Sequence, residues 1–516
     1  MPLDLLHPGG LTTALIPDIV LAVGTMILLV YGAAVTPTPA LQRRVGIGSV
    51  VVLALTFAAV VLVALRGYTA AGGPIAVDNF RWAADGVLLI GALLTILIAI
   101  EFQEREGIAT PESHVLVLLA TSGMMLLVAA RDLTLVFLGI ELMSIAVYAL
   151  VAVNRRSARS AEGALKYFLL GAFSTAFMLY GMALVYGATG STSFAGIAQA
   201  LTTEAALGSP LLKAGLGLLV VGFGFKVAAA PFHMWAPDAY EGASTPHTAF
   251  MAASVKAAAF VAFLRLFVEA FPAAVSQWHF AVWWLAAITM VVGNLTALAQ
   301  RNLKRMLAYS SIAHAGYLLV AVVVGVGSGP ATGITGSGAL LFYLFAYTLA
   351  TMGAFAVVVA LGQPGEGDLT IDSYSGLWNE RPWMAAAMTV FMLALLGFPI
   401  IGGIGFLAKW YVLQAALQAP APQARLAVLM AVTTAISAGY YLQVIRVMYM
   451  KARPATAAPS LPTGAFTRFV IASAAILIVV LGLFPDSIAG LAQRAAAGTR
   501  VGAPATAVAL PESSGR

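Results

Sequence analysis

Apolar stretches of eighteen residues or more recur from one end of the chain to the other, and this repetition restricts the fold more than any single motif. A helix crosses the hydrocarbon core of a bilayer in about 20 residues, and only helices and closed barrels satisfy their backbone groups there. Of 516 residues, 61% are hydrophobic and 9% charged, against about 25% charged in a soluble domain. The pattern predicts an all-α polytopic membrane protein of about fourteen spans with no soluble domain attached. The spans are placed at 11–32, 45–66, 86–103, 113–130, 131–153, 163–187, 211–235, 245–271, 279–300, 303–327, 336–361, 384–418, 426–450 and 468–490.

The net charge of +6 does not point to nucleic acid, because the basic residues are scattered through short loops rather than gathered on one face. Lipid headgroups and topology account for them. With no cysteine, the chain has no thiolate for an iron–sulfur cluster, a disulfide or covalent haem attachment. Electron transfer, if coupled to this chain, belongs to another one. Phosphate-loop, dinucleotide-binding and metal-ligand patterns are missing from the sequence. The opening MPLDLLHPGG lacks the basic region of a cleavable signal, so the first span is expected to be retained. The tail from Gly498 to Arg516, rich in Ala, Pro and Ser, is expected to be flexible.

Loops after odd-numbered spans carry Arg43 and Arg44, then Arg155, Arg156 and Arg159, then Arg301, Lys304 and Arg305, and finally Lys451, Arg453 and Arg468. Loops after even-numbered spans are poorer: Arg81 follows the second, the stretch VGSGPATGITGSG after the tenth has no basic residue, and QAPAPQAR ends in Arg425. The positive-inside bias puts the basic loops in the cytoplasm and both termini outside, in a bacterial cell membrane.

Once loop charges are set aside, Glu141, Lys166, Lys226, Lys256, Arg265, Lys304 and Lys409 remain within or at the edge of spans, with Asp18 near the first. Ionisable groups in a bilayer are expensive and usually face the protein interior, where they mark ion or proton routes. Arg265 is expected to snorkel outward or to pair structurally. Glu141 shares a helical face with Ser144 and Tyr148. It either joins two helices as an ion pair or tunes a neighbouring lysine by proximity. Lys166, a few residues into its span, either snorkels to the surface or takes part in a relay.

The segment GFGFKVAAAPFHMWAPDAYEGA places Lys226 in an apolar run, five residues before Pro231 and seven before His233. Proline removes a backbone donor, and broken helices in membranes are tolerated where the freed carbonyls face protein or water. A discontinuous helix that hydrates a titratable amine is expected. His233, placed two turns beyond Lys226 on the same face, is either a relay or a packed, hydrogen-bonded ring. Five spans later LALLGFPIIGGIGFLAKWYVLQAAL is again interrupted, by Pro399, Gly402 and Gly403, and again holds one lysine, Lys409. An odd offset inverts the second unit relative to the first, and paired interrupted spans point to an inverted-repeat transporter site. Lys256 lies in mid-span between them, and RNLKRMLAYSSIAHAGYLLV adds Lys304, Tyr309, Ser310, Ser311 and His314. Lys304 reads either as part of that polar link or as a cytoplasmic anchor.

The stretches DLTLVFLGIELMSIAVYAL, EGALKYFLLGAFSTAFMLYGMALVYGATGS, FGFKVAAAPFHMWAPDAYEGASTPHTAF, KRMLAYSSIAHAGYLL and GFPIIGGIGFLAKW together resemble the antiporter-like subunits of respiratory complex I, the proton-translocating NADH-quinone oxidoreductase, and among them the subunit N group. The similarity in span order covers nearly the whole chain. Lysine rather than glutamate at 409 argues against subunit M, and the lack of a long lateral helix argues against subunit L. The resemblance implies discontinuous spans 7 and 12 and two inverted five-helix repeats. It divides the chain into N-terminal helices over 1–110, a first repeat of spans four to eight over 111–275, a second of spans nine to thirteen over 276–455, and a final span with its tail over 456–516. It also implies a charge-regulating role for Glu141, channel roles for Lys226 and Lys409 and a connecting role for Lys256, with Lys166, His233, Lys304 and Tyr309 on the polar axis. His314 joins them as a candidate relay. On this reading the chain is a non-redox subunit that binds no cofactor or metal, with NADH, FMN, iron–sulfur clusters and a quinone, menaquinone or ubiquinone, on partner subunits. Its partners are the membrane and peripheral subunits of the complex and lipid. Two other readings stay open: a cation/proton antiporter subunit and a purely structural membrane anchor.

Overall fold

The computed structural model describes residues 3–5, 7–70, 72–108, 110–325, 334–366, 369–453 and 462–497. The expected flexible tail from 498 onward and most of the glycine-rich loop after the tenth span lie outside them. Among the described residues the regular elements are helices, and three isolated bridges, Ile75 with Ala130, Asp132 with Ser193 and Asn302 with Thr370, tie loops together.

Among the described residues, twelve helices are long and apolar enough to cross a membrane. In chain order they are α1 (Ile16–Ala34), α2 (Pro39–Leu65), α3 (Asn79–Glu106), α4 (Glu112–Ala129), α5 (Leu133–Val151), α6 (Ala158–Thr189), α8 (Thr245–Glu269), α9 (Val275–Leu298), α10 (Leu303–Val323), α11 (Gly336–Leu361), α13 (Ala424–Met450) and α14 (Ala465–Leu483). Two more segments are interrupted: α7a (Pro210–Lys226) with α7b (Trp235–Gly242), and α12a (Pro382–Leu396) with α12b (Ile404–Gln418). Continuous and broken spans together make the fourteen that the hydropathy predicts. The chain is a multi-pass membrane protein.

The termini of these helices follow from local chemistry. The side chains of Asp78, Asp132, Ser157, Asn302 and Thr335 accept from backbone N–H groups of the first turn of α3, α5, α6, α10 and α11, satisfying donors that the helix itself leaves free. The last predicted span is two elements rather than one. Phe484 and Pro485 end α14, and a separate helix runs from Asp486 to Ala496.

Packing sets the layers. Helices α8, α10 and α11 are almost wholly buried, whereas α1 and α14 are largely exposed. The outer helices carry apolar side chains such as Ile27, Val30, Leu62, Leu65 and Phe173 outward, which only a hydrocarbon or protein surround tolerates in such numbers. Between α4 and α5 the backbones touch. A Cβ on Gly123 would lie 2.4 Å from the Met143 nitrogen, and one on Gly139 would lie 2.8 Å from the Leu127 Cα. Small residues allow such close approach, and van der Waals packing is what holds helices together in lipid.

The third span begins earlier than its hydropathy suggests. Capping by Asp78 starts α3 at Asn79, so Arg81, assigned by sequence to an outer loop, sits in the first turn and is fully buried, with Asp85 a turn further on, also fully buried. Span 7 is a second departure. Because α7a ends at Lys226, His233 does not share a helical face with that lysine but lies in the linker to α7b, half-buried, with no hydrogen-bond partner for Nδ1 among the described residues.

The α4–α5 contact is open to a direct test. Gly123→Ala drives a methyl into backbone and is expected to destabilise the protein by about 1–3 kcal/mol, seen as a lower thermal midpoint. Gly217→Ala in α7a, where a Cβ meets nothing within 4 Å, leaves that midpoint unchanged or raises it.

Candidate functional site

Both broken spans end their first half in the same way. In α7 the helix closes at Lys226 and the next residues turn through Ala228, whose φ is 58°. In α12 it closes at Leu396, followed by Gly397 at φ 75° and Ile400 at φ 67°. A left-handed alanine or isoleucine is unusual and mildly strained. Two of the three such non-glycine residues among the described ones fall in these two linkers.

The freed backbone groups find partners within the protein. Trp235 Nε1 on α7b donates to the Phe225 carbonyl at 3.0 Å, and the Ala230 N–H donates to Thr289 Oγ1 of α9 at 2.9 Å. The Tyr167 ring stacks on Trp235 with centroids 4.2 Å apart, fixing α7b against α6.

Lys226 is buried, and its Nζ donates to Ser144 Oγ at 2.8 Å and to the Tyr148 hydroxyl at 3.4 Å. Both partners stand on α5 on the face that the sequence assigns to Glu141. The half-buried Glu141 makes no ion pair with Lys226 among the described residues, yet it is near enough for its charge to act on both Lys226 and Tyr148. Lys409, also buried, reaches back from α12b to donate to the Leu396 carbonyl at 2.9 Å, with Nζ 4.7 Å from the centre of the Tyr317 ring. Lys409 Nζ therefore ends at the C-terminal end of α12a, where an unpaired carbonyl and the helix dipole favour positive charge, whereas Lys226 Nζ is held by hydroxyls of α5. They also differ in position, since Lys226 precedes its break and Lys409 follows its own.

Lys256 lies between them. A π-helical turn over Met251–Val255 immediately precedes it in α8, a local widening that recurs at functional positions. Its Nζ donates to the Ser311 carbonyl at 2.6 Å and contacts the Ser311 hydroxyl. One turn on, His314 is buried with Nδ1 2.7 Å from the Tyr343 hydroxyl and Nε2 3.1 Å from the Tyr441 hydroxyl, and Tyr441 also meets Ser310. His314 is close enough to Lys256 and Lys409 to feel both charges. Thus Lys256, His314 and Lys409 form one hydroxyl-lined series, and Lys226 and Glu141 form a second group where α7a meets α5.

Other predicted residues sit at the face carrying the basic loops. Lys166 is exposed and pairs with Glu162 at 2.6 Å and Asp238 at 2.8 Å. Arg305 pairs with the same Asp238 at 3.0 Å and with Glu241 at 2.8 Å. Lys304 is fully buried rather than exposed like a headgroup anchor; it pairs with Glu366 at 3.0 Å and donates to the Ala243 carbonyl. Tyr309 packs half-buried against the core and does not join the hydrogen bonds of His314. Arg265 pairs structurally with Asp78 and Glu269, the second of its two expected alternatives.

Sequence reasoning missed Tyr343 and Tyr441, the partners of His314. A spacing of four between Tyr343 and Tyr347 on an apolar helix was the available signal, since a buried tyrosine hydroxyl seeks a partner. It also missed Asp238 and Glu366, which hydropathy leaves among loop charges.

A helical membrane fold with two broken, lysine-bearing spans defines the class of antiporter-like transmembrane proteins. The family described as NADH:quinone oxidoreductase/Mrp antiporter, TM, matches residues 130–437. A protein named NADH-quinone oxidoreductase subunit N from Gemmatimonas aurantiaca is 50% identical over 506 residues, 95% of either chain. One of the same name from Trichlorobacter lovleyi is 50% identical over 377 residues, 73% of this chain and 75% of the relative. Among solved structures, a chain of respiratory complex I from Thermus thermophilus with bound aureothin has a TM-score of 0.76 and 37% identity, covering 93% of this chain and all, 100%, of that one. A chain of the Mrp complex from a Dietzia species has a TM-score of 0.79 at 21% identity, covering 94% and 97%, a likeness of fold alone. The chain belongs to the NADH-quinone oxidoreductase subunit N family.

The hydroxyl around which His314 and Ser310 meet gives a measurable expectation. Tyr441→Phe leaves two buried polar groups short of a partner, and a destabilisation of about 1–3 kcal/mol is expected, read as a lower unfolding midpoint of the purified protein.

Proposed function

We propose that this chain carries protons across the membrane as the non-redox subunit N of a proton-translocating NADH-quinone oxidoreductase. NADH, FMN, iron–sulfur clusters and quinone reside on partner subunits, among them other antiporter-like membrane subunits. The observation that carries this reading is the row of buried amines, Lys226, Lys256 and Lys409, each held by hydroxyl or carbonyl oxygens and none of them in an ion pair among the described residues. An unpaired buried ammonium is costly, whereas a neutral amine is not. The amines are therefore suited to gain and lose protons as their surroundings change.

Glu141 supplies the adjustable charge. It stands near Lys226 without clamping it, so a small movement of α5 against α7a alters their separation. Bringing a carboxylate from about 8 Å to about 4 Å from an ammonium at an effective dielectric of about 20 strengthens the attraction by about 2 kcal/mol. Moving one charge across 100 mV requires about 2.3 kcal/mol. A movement of that size at one pair is therefore of the magnitude that pumping one proton demands. The partners drive the movement; this chain converts it into a change of lysine protonation. Entry lies at the basic-loop face, near Asp238, Lys166 and Lys304, and Lys256, His314 and Lys409 conduct the proton towards the opposite side.

The basic loops are cytoplasmic and both termini are outside, in a bacterial cell membrane. Spans four to eight, over 111–275, and nine to thirteen, over 276–455, form two inverted repeats flanked by 1–110 and 456–516. The matched positions of the breaks, in the fourth span of each unit, support that division.

Lys226→Met and Lys409→Met in the assembled complex are expected to reduce proton translocation by about tenfold or more, about 1.4 kcal/mol in the barrier. Vesicles oxidising NADH with quinone as acceptor report it. Undiminished translocation by complexes containing either variant overturns the proposal and leaves the anchor reading standing. Because the chain has no native cysteine, orientation has a clean assay. A membrane-impermeant thiol reagent is expected to label Thr202→Cys from outside and Arg156→Cys only in inverted vesicles.

A further inference from the structure

At the face opposite the basic loops, a second set of charges is buried outside the lysine row. Arg81 on α3 bonds Asp18 of α1 through Nη2 at 2.5 Å and donates Nη1 to the carbonyls of Ala14 and Ala76. Arg265 on α8 gives Asp78 two hydrogen bonds, at 2.8 and 2.9 Å, and contacts Glu269 at 3.0 Å. Arg131, in the link between α4 and α5, bridges Asp78 at 3.2 Å and Glu269 at 2.9 Å. Burial alone would push the Asp78 carboxyl up, but the Arg265 and then the Arg131 guanidinium outweigh it and hold this capping residue below its ordinary range.

Asp85 is treated differently. Its side chain is wholly buried, and among the described residues its nearest cationic atom is Arg81 Nε at 3.5 Å and neither carboxyl oxygen has a hydrogen-bond partner. Arg81 Nε itself is also unpartnered. The charges near Asp85 are Arg81 and Asp78 on or beside its own helix, Asp18 from α1 and Arg265 from α8; Arg131 and Glu269 complete the set. Helices α2, α4, α11 and α14 contribute no group to these ion pairs among the described residues.

The set thus holds four carboxyl groups against three guanidiniums, which stay charged at all accessible pH values. If all four acids were ionised, one negative charge would lie unneutralised in a membrane-embedded site. A buried, unpaired carboxylate costs several kcal/mol, and protonation removes that cost. Asp78 and Glu269 each receive two guanidinium groups. Asp18 has Arg81 at short range and a side chain 20% exposed. Asp85 has neither a donor nor solvent, about 9 Å along the axis from the start of α3.

We propose that Asp85 is a proton-binding residue, holding the proton that neutralises this arginine–carboxylate cluster in the N-terminal helices, separate from the lysine row. The proton exchanges through Asp18, the one partly open carboxyl. The two carboxyl groups, held on either side of Arg81, must first swing into hydrogen-bond contact; the Asp85 O–H bond then breaks as the Asp18 carboxylate takes the proton, and Arg81 turns its free Nε towards the Asp85 anion. Total charge is unchanged by the transfer. The inference does not depend on how the lysines conduct.

Infrared difference spectroscopy of the assembled complex tests it. Asp85→Asn is expected to lose one carbonyl band of a protonated carboxylic acid present in the wild type, and to assemble with an unchanged thermal midpoint, because an amide closely imitates the neutral acid. Asp18→Asn is expected to lose the same band, because removing one carboxylate frees Arg81 to stabilise an ionised Asp85. If the band survives in Asp85→Asn, the proton lies elsewhere and the proposal fails. If Asp85→Asn lowers the midpoint or prevents assembly, the native residue is an anion that Arg81 requires, and the proposal fails equally.

Discussion

Hydrocarbon offers a backbone no hydrogen bonds, and the rest of the structure follows from that constraint. A continuous helix meets it by internal pairing. A broken helix does not, so each break must be enclosed by protein that supplies partners. Here the break between α7a and α7b is enclosed by Trp235, which takes up the Phe225 carbonyl at the end of α7a, and by Thr289, which takes up the Ala230 N–H of the linker. In α12 one released carbonyl, that of Leu396, is left to the Lys409 amine. The interruption that weakens a helix is also what creates an oxygen facing inward, and an inward oxygen is what a buried amine needs.

The protein separates two uses of charge. Arginine, whose planar fork satisfies two carboxylates at once and which does not release its proton, is used where charges hold helices together: Arg265 and Arg131 on one face, Arg305 on the other. Lysine, whose single amine changes protonation readily when buried, occupies the interior positions on α7a, α8 and α12b. The exception in each group is informative. Lys304 is buried but paired with Glu366, like an arginine. Arg81 is fully buried and stands 3.5 Å from a carboxyl, that of Asp85, which accepts no hydrogen bond among the described residues.

Much of this was legible in the residues. Hydropathy located the spans because a helix in lipid has no alternative to being apolar. The lysines stood out because they violate that rule, and proline and glycine marked the breaks. What stayed hidden depended on contacts between distant segments. Asp78 looks like a loop acid, yet by capping α3 at Asn79 it draws Arg81 and Asp85 into the membrane domain. Glu366 lies in a connection after α11 and becomes the partner of Lys304 only through folding. His233 was read on a continuous helix, and the break that the sequence itself announced at Pro231 removes it from that face.

The two lysines beside the broken spans show why chain position is a poor guide to equivalence in such a fold. Lys226 is the last residue of its half-helix, whereas Lys409 lies in the half that follows its break, thirteen residues after the carbonyl it meets. The two residues therefore stand on opposite sides of their interruptions. What they share is the neighbourhood of a break: Lys226 closes the half-helix before one and turns its amine to hydroxyls of α5, whereas Lys409 reaches back to the carbonyl that ends another, where the backbone dipole presents partial negative charge. The carbonyl end cannot move without rebuilding the span, so the break is the fixed element and the amine the variable one.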